Sequence, residues 1–483
     1  MTITTVLWVT LPLWVGFLIY LVPRFDRGLT LLVTLASMAY GLGALGLTTP
    51  IEINLMDTAG VSLVVDSLAG YFILTNAIVT LAVLLYCWPK AKDYFFYTQL
   101  AILHGSVNAV FICGDFMSLY VGLELIGIAA FLLVTYPRTD RSLWIGLRYL
   151  FISNTVMLFY LLGAVLVYQS TQSFAFAGLT DASPEAIALI MVGLLTKGGV
   201  FLSGLWLPLT HAEADTPISA ILSGVVVKAG IFPLVRLALL MEPIDPLVRT
   251  FGVATALFGI TFAILQKDSK RMLAYSTISQ LGFVLAAPIA GGLYALSHGV
   301  AKSALFLMAG NLPSRQFKEL KHTSLPFMVG VSVTVASLSI SGLPLLMGFG
   351  AKAYSVDNLL PWQDWLMSIA AVGTAICFAK FIFLPWQPFD ATLTGEKAMD
   401  KGFWPAIIIL LAGLFLGNLF YWEAYKLSNL VKAIVTILIG WILYGAFIKK
   451  LTINLPRWGE QLNDLVGMMS VILSLLIWWV VQP

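Results

Sequence analysis

Charge is scarce in this sequence. Only 11% of its 483 residues are Asp, Glu, Lys or Arg, and 59% are hydrophobic. A soluble domain carries about 25% charged residues, so the composition excludes one and points to a membrane protein. No stretch is long and polar enough to form a separate soluble domain. The net charge is only +3 and the basic residues are dispersed through loops. Nucleic-acid binding, which needs a clustered basic footprint, has no support. Cysteine is scarcer still. Cys87, Cys113 and Cys377 stand alone in apolar runs, with no CxxC or Cys/His spacing. They read as small buried hydrophobes, and no metal, iron–sulfur or other cofactor site is expected. GLGALG at 41–46 matches GxGxxG, but inside an apolar span and without a βαβ unit. Helix packing by small residues accounts for it better than a dinucleotide. The first apolar run has no basic segment before it and is followed by Arg24 and Arg27. It reads as a retained span, not a signal peptide.

What is present is apolar sequence in runs of about 20 residues, the length that crosses a bilayer. They predict an all-α polytopic protein with sixteen spans from residue 4 to 481. The fifth covers about 115–136, the seventh 184–207, the eighth 217–240, the eleventh 293–312 and the twelfth 325–350. Loop charges test the count. With the N-terminus outside, the inside loops hold Arg24, Arg27, Lys90, Lys92, Arg138, Arg141, Lys267, Lys270, Arg271, Arg315, Lys318, Lys321, Lys397, Lys401, Lys449, Lys450 and Arg457. The outside holds only Arg249, Lys352 and Lys426. That bias obeys the positive-inside rule and predicts both termini outside.

The few charges that interrupt the apolar runs are the candidate functional residues. They are Glu124, Lys197, Lys228, Lys302, Lys352 and Lys380, with His298 one helical turn before Lys302. An ionised side chain in hydrocarbon costs roughly 3 kcal/mol or more, so such residues usually mark an ion path. Lys197 lies between the influences of burial and of an acid. A lysine so placed changes its proton affinity when its neighbour's charge changes. His298 and Lys302 share a helix face, and histidine exchanges protons near neutral pH. Two other groups read as structural: Arg236 as an arginine snorkelling to the interface, and His104 as a packed histidine. His211, Glu213 and Asp215 in HAEADTP have the residue types of a metal site. They fall within one turn-like loop and no second cluster completes a shell, so a loop that organises a helix break fits better.

The seventh span, LLTKGGVFLSGLWLPL, and the twelfth, SLSISGLPLLMGFGAK, each join a lysine to helix-breaking Gly and Pro. The lysine precedes the break in one and follows it in the other. Each span is followed by another bearing a lysine, Lys228 or Lys380. Paired interrupted helices in two halves are the mark of inverted repeats with an ion site at the breaks.

The string GLLTKGGVFLSGLWLPLTHAEADTPISAILSGVVVKAG resembles the antiporter-like proton-conducting membrane subunits. These include the A-type and D-type subunits of Mrp-type Na⁺/H⁺ antiporters and the large membrane subunits of respiratory complex I. The likeness continues in AILQKDSKRMLAYSTISQLGFVL, LSHGVAKSALFLMAG, VSLVVDSLAGYFIL and GDFMSLYVGLELIG, and covers roughly residues 60–385. The resemblance implies about 14 core helices with two inverted five-helix repeats, plus two extra C-terminal spans. It divides the chain into N-terminal helices 1–90, repeats 91–240 and 247–386, and C-terminal helices 403–483. It makes Glu124, Lys197, Lys228, His298, Lys302 and Lys352 a proton relay, with Lys380 added by the repeat argument. Three departures stand out: Asp215 where the family often has proline, Gly122 where a bulky residue is common, and Leu345 where a second proline is common.

Three functions follow from this reading. The first is an ion-translocating subunit of an Mrp-type antiporter, of the D type because of Lys352, moving H⁺ and Na⁺. The second is a proton-pumping membrane subunit of a complex I-like NADH or ferredoxin:quinone oxidoreductase. The third is a stand-alone secondary transporter, for which no solute-binding signature is present. The first two imply other membrane subunits as partners, in a bacterial plasma membrane or other energy-transducing membrane. Redox chemistry would belong to those partners.

Overall fold

The computed structural model describes residues 2–56, 60–387, 401–450 and 460–481. Lys397 and Arg457, counted above among the inside charges, lie outside the described residues. Each of the sixteen apolar runs meets helix. The chain begins with α1 (Thr2–Leu21) and α2 (Asp26–Leu45). A small antiparallel hairpin follows, β1 (Ile51–Asn54) against β2 (Ser62–Val65), with Ile51 opposite Val65. It holds the only strands among the described residues. Next come α3 (Ser67–Cys87), α4 (Tyr94–Val110), α5 (Phe116–Val134) and α6 (Asp140–Thr171). The seventh run is split into α7 (Pro184–Lys197) and α8 (Trp206–Glu213), and the eighth runs through α9 (Thr216–Ile221) and α10 (Val227–Leu240). Then follow α11 (Asp245–Leu265), α12 (Ser269–Ala286), α13 (Gly291–Ala309) and the one-turn α14 (Phe317–Leu320). The twelfth run is split into α15 (Phe327–Ser341) and α16 (Met347–Asp357). The chain ends with α17 (Pro361–Ile382), α18 (Phe403–Leu416), α19 (Leu427–Ala446) and α20 (Leu462–Val481).

Among the described residues, 12 helices are long and apolar enough to cross a membrane, or up to 13 if the pair bent by 112° between Ala286 and Pro288 is one span. The sequence led us to expect more, and the shortfall has local causes. α4 has only 17 residues and carries Gln99, His104 and Asn108. The twelfth run is cut at Gly342, leaving 15 helical residues before the break.

Many of the scarce acids are spent on starting helices. Asp66, Asp93, Asp115 and Asp268 each accept a backbone N–H three residues on, at 2.7–3.1 Å, and so begin α3, α4, α5 and α12. This satisfies donors that a helix start leaves free. The core lies around α13, which is buried at every residue, and around the span Thr216–Leu240, whose most apolar stretch is entirely buried. Lys228, His298 and Lys302 are thus carried by the most enclosed helices. α1, α2, α19 and α20 lie at the rim with many exposed apolar side chains, as lipid-facing helices do. α19 packs on α17, and α20 on α7 and the break that follows it.

Candidate functional site

The first break follows Lys197 directly. Gly199 takes φ +68° and Phe201 φ +50°, which ends the helix. The backbone groups released there are taken up by side chains. Trp206 Nε1 donates to Thr196 O at 2.8 Å, Ser203 Oγ to Val200 O at 2.7 Å, and Phe201 N to Thr255 Oγ1 at 3.0 Å. A non-helical turn at membrane depth is tolerated when its polar groups are met in this way. Lys197 is 7% exposed, and its Nζ donates to Ser153 Oγ of α6. A Cβ at Gly127 of α5 would stand 3.2 Å from that amine. Gly127 therefore lets α5 close over Lys197. Glu124, one turn earlier on α5, is half-buried and its Oε1 has no hydrogen-bond partner. It is the acid whose charge bears on Lys197, through space and not through a hydrogen bond.

The second amine sits on a distorted turn. Residues Leu222–Val226 wind as a π-helix, and Lys228 Nζ donates to the carbonyls of Ser223 (3.2 Å) and Gly224 (2.6 Å). Such π turns commonly mark functional sites. Lys228 is fully buried, and a Cβ at Gly299 would lie 3.4 Å from its Nζ. That sets the amine beside α13, next to His298. His298 is 3% exposed and neither ring nitrogen has a hydrogen-bond partner. The charges of Lys228 and Lys302 reach it. Lys302 turns toward α12, donating to Leu273 O at 2.9 Å and to Ser276 Oγ. The shared face expected for His298 and Lys302 holds along the helix, but the two side chains serve different neighbours.

From Lys302 a row continues along α12. Ser276, Gln280 and Phe283 follow one another at helical spacing, and all three are buried. Gln280 Oε1 accepts from Tyr294 Oη at 2.7 Å, and its amide donates to Thr374 Oγ1 at 3.2 Å. Lys352 Nζ stands 5.6 Å from the Phe283 ring centre and donates to Ser341 O at 3.1 Å, at the second break. That break turns on Gly342 (φ +90°) and Leu345 (φ +74°). Leu345 N donates to Tyr425 Oη at 2.9 Å. Proline has no N–H and cannot take that φ, which explains its absence here. Gly122 has a packing reason as well, since a Cβ there would collide with Val110. Lys380 stands apart from this row. Its amine caps α11, donating to Ile264 O at 2.5 Å and Gln266 O at 2.8 Å.

Two expectations are corrected. Arg236 does not snorkel. It is 7% exposed and forks onto Asp66, with Nη2 at 3.0 Å from Oδ1 and Nη1 bonded to Oδ2. Asp66 starts α3 and so lies where the end of α10 can reach it with a bidentate, charge-assisted pair. HAEADTP is not one loop. His211 and Glu213 belong to α8 and only Asp215 lies at the turn into α9. Asp215 binds Lys92 at 2.9 Å, and Glu213 faces Arg141 and Arg315 at 3.6 and 3.5 Å. His211 points inward, fully buried between the rings of Trp206 and Phe306, where the charges of Lys228 and Lys302 reach it. Sequence reasoning did not single out His211 as a site residue, although its place after a broken helix was a usable signal. Ser153, Ser276, Gln280, Tyr294 and Thr374 were missed because nothing local marks a serine or glutamine as the partner of a distant lysine.

The chain is similar in sequence and in fold to known proteins. The family model described as NADH:quinone oxidoreductase/Mrp antiporter, TM, matches residues 113–378, which hold every candidate charge except Lys380. The N subunit of the NADH-quinone oxidoreductase of Desulforudis audaxviator is 30% identical over 425 residues, 78% of this chain and 84% of that protein. The D-type subunit of the Na⁺/H⁺ antiporter of Alkalihalophilus pseudofirmus is 29% identical over 382 residues, 71% of this chain and 76% of that protein. In fold the chain is similar to a chain of the Mrp complex from Dietzia sp., with a TM-score of 0.74 and 18% identity over 93% of this chain and 99% of that one. It is equally similar to a chain of the archaeal membrane-bound sulfane sulfur reductase, with a TM-score of 0.74 and 21% identity over 92% and 99%.

Proposed function

Because the chain belongs to the NADH:quinone oxidoreductase/Mrp antiporter transmembrane family, we propose that it is the ion-translocating subunit of an Mrp-type cation/proton antiporter. The observation that carries this is the row from buried Lys197 through Lys228, His298 and Lys302 to half-buried Lys352. Its amines rest on carbonyl and hydroxyl oxygens, and among the described residues no carboxylate neutralises them by direct contact. The protonation of such an amine follows the charges around it, so a change on one neighbour moves the next. Protons enter near His211 and the first break, pass Lys197 under the control of Glu124, and move by Lys228 and His298 to Lys302. From Lys302 they move along the α12 face of Ser276 and Gln280 toward Lys352, where they leave, with Phe283 lining that path and carrying no proton. Lys380 stands at the inner end of this second half. Na⁺ is the counter-ion, in keeping with the name of the antiporter relative.

In this reading residues 91–240 and 247–386 are two five-helix repeats of inverted sense, flanked by helices 1–90 and 403–483. The opposite placement of lysine and break in the two interrupted helices supports it. Both termini face outside, supported by the loop charges, in a bacterial plasma membrane or other energy-transducing membrane. The second reading, a proton-pumping subunit of a complex I-like quinone reductase, is favoured by the quinone oxidoreductase relative. Purification of the chain with its native partners separates the two. Small membrane subunits and Na⁺-driven proton movement without a redox substrate support the antiporter, and co-purifying redox subunits overturn it. The chain alone in liposomes should show no robust coupled exchange. Robust exchange would revive a stand-alone transporter.

A further inference from the structure

A recess opens beside Lys380, outside the buried row. It has a volume of about 520 Å³ and lies between the end of α11, the α14 turn, α17 and the end of α19. Its lining divides by chemistry. Among the described residues, Lys267, Lys318, Lys321, Lys380 and Lys449 contribute five cationic side chains, with His322 beside them, against one acid, Glu319. That acid is turned to Ser314, whose Oγ donates to Oε2 at 2.5 Å. Gln266 and Gln316 add two amides, and Ile264, Leu265, Phe317, Tyr444 and Ile448 form an apolar wall. Lys321 and Lys449 are exposed, Phe317 and Tyr444 are buried, and Lys380 lies between, its amine 5.6 Å from the Phe317 ring centre. The recess lies where two apolar helices end, which is the level of lipid headgroups.

We propose that this recess binds one anionic phospholipid, its phosphate held by the lysines and the upper part of its acyl chains against the apolar wall. Charge and shape both argue for a lipid. A free phosphate would use the lysines but leave the apolar wall bare, and a zwitterionic lipid would gain little from a field of one sign. Basic pockets between membrane helices bind anionic headgroups on this ground. α19 belongs to the C-terminal helices and α17 to the core, so the bound lipid would bridge them.

Native mass spectrometry of the full chain with its partner subunits tests this, with phosphatidylglycerol, phosphatidylcholine and inorganic phosphate as separate probes. We expect phosphatidylglycerol to be retained after phosphatidylcholine is stripped, and millimolar inorganic phosphate not to displace it. Lys321→Ala with Lys449→Ala should weaken phosphatidylglycerol binding by about 25-fold, since each cation near the surface is worth about a factor of five. Lys321→Arg with Lys449→Arg should restore it, and Arg24→Ala, an exposed cation elsewhere, should leave it unchanged. Equal retention of the two lipids, displacement by inorganic phosphate, or full binding by the double alanine variant would each overturn the assignment.

Discussion

Two buried polar regions of this protein each centre on a histidine and differ in how their hydrogen bonds close. The first ties α2, α3 and α4 together around His104. Its Nδ1 meets Thr80 Oγ1 at 3.2 Å and its Nε2 meets Ser37 Oγ at 2.9 Å. Asn108 donates to Ser37 at 2.9 Å, Asn76 to Asn108 at 2.8 Å, and Thr80 to Asn76 at 3.2 Å. Every side chain serves another and none carries an obligatory charge. In the second region, around His298, the amines hold backbone oxygens or a serine, and both imidazole nitrogens are without a partner. A closed network fixes structure. An open one leaves groups whose protonation can change without breaking a set of bonds. The same residue type therefore serves as a clasp in one place and, on the proposed reading, as a relay step in the other.

Breaking the open region should have the largest effect on transport. Lys197→Ala, in membranes with the partner subunits present, is expected to reduce proton flux to background while assembled protein remains. Glu124→Ala should do nearly the same by removing the acid that controls Lys197. Normal flux by Lys197→Ala would remove it from the path. Lys352→Ala should block release, whereas Lys352→Glu should keep part of the flux because a titratable group remains. Equal, near-normal flux for Lys352→Ala would move the exit elsewhere.

Smaller effects sharpen the comparison. Gln280→Leu breaks the row between Lys302 and Lys352 without removing a charge. A partial loss of flux with normal assembly is expected, and unchanged flux would mean the two lysines are joined by another route. Lys380→Met removes the cap of α11. Thermal unfolding should report a loss of about 1 kcal/mol, the size of a charge at a helix C-terminus, with a modest fall in flux. A Tm equal to that of the unmodified protein would contradict the capping role.

Much of the site was legible because charge in an apolar run is conspicuous. Lys197, Lys228, His298, Lys302 and Lys352 are all found at or between the breaks that Gly and Pro announce. The acid–lysine relation of Glu124 and Lys197, far apart in the chain, was legible only through the family resemblance and the cost of burying either charge alone. Gly127, which lets the helices close, carries no signal of its own. Arg236 was misread because its partner, Asp66, is 170 residues away and pairing across a bundle leaves no local trace. The span count exceeded the structure because hydropathy registers neither a helix as short as α4 nor the left-handed turn at Gly342 that cuts the twelfth run. The seventh run is divided at Gly199 and still counts as one span. The two C-terminal additions were read as extra spans, but not as braces. Tyr425 holds the second break, and α20 packs against the first.

The central claim is that the open region conducts and the closed one only holds. Proton flux per assembled complex, measured in the same vesicles for His298→Ala and His104→Ala, tests it most directly. His104→Ala should lower stability by about 1–3 kcal/mol, since its buried partners are left unsatisfied, yet leave flux per complex near that of the unmodified protein. His298→Ala should leave stability almost unchanged and remove most of the flux. Normal flux for His298→Ala, or an equal loss for the two variants, would contradict the account.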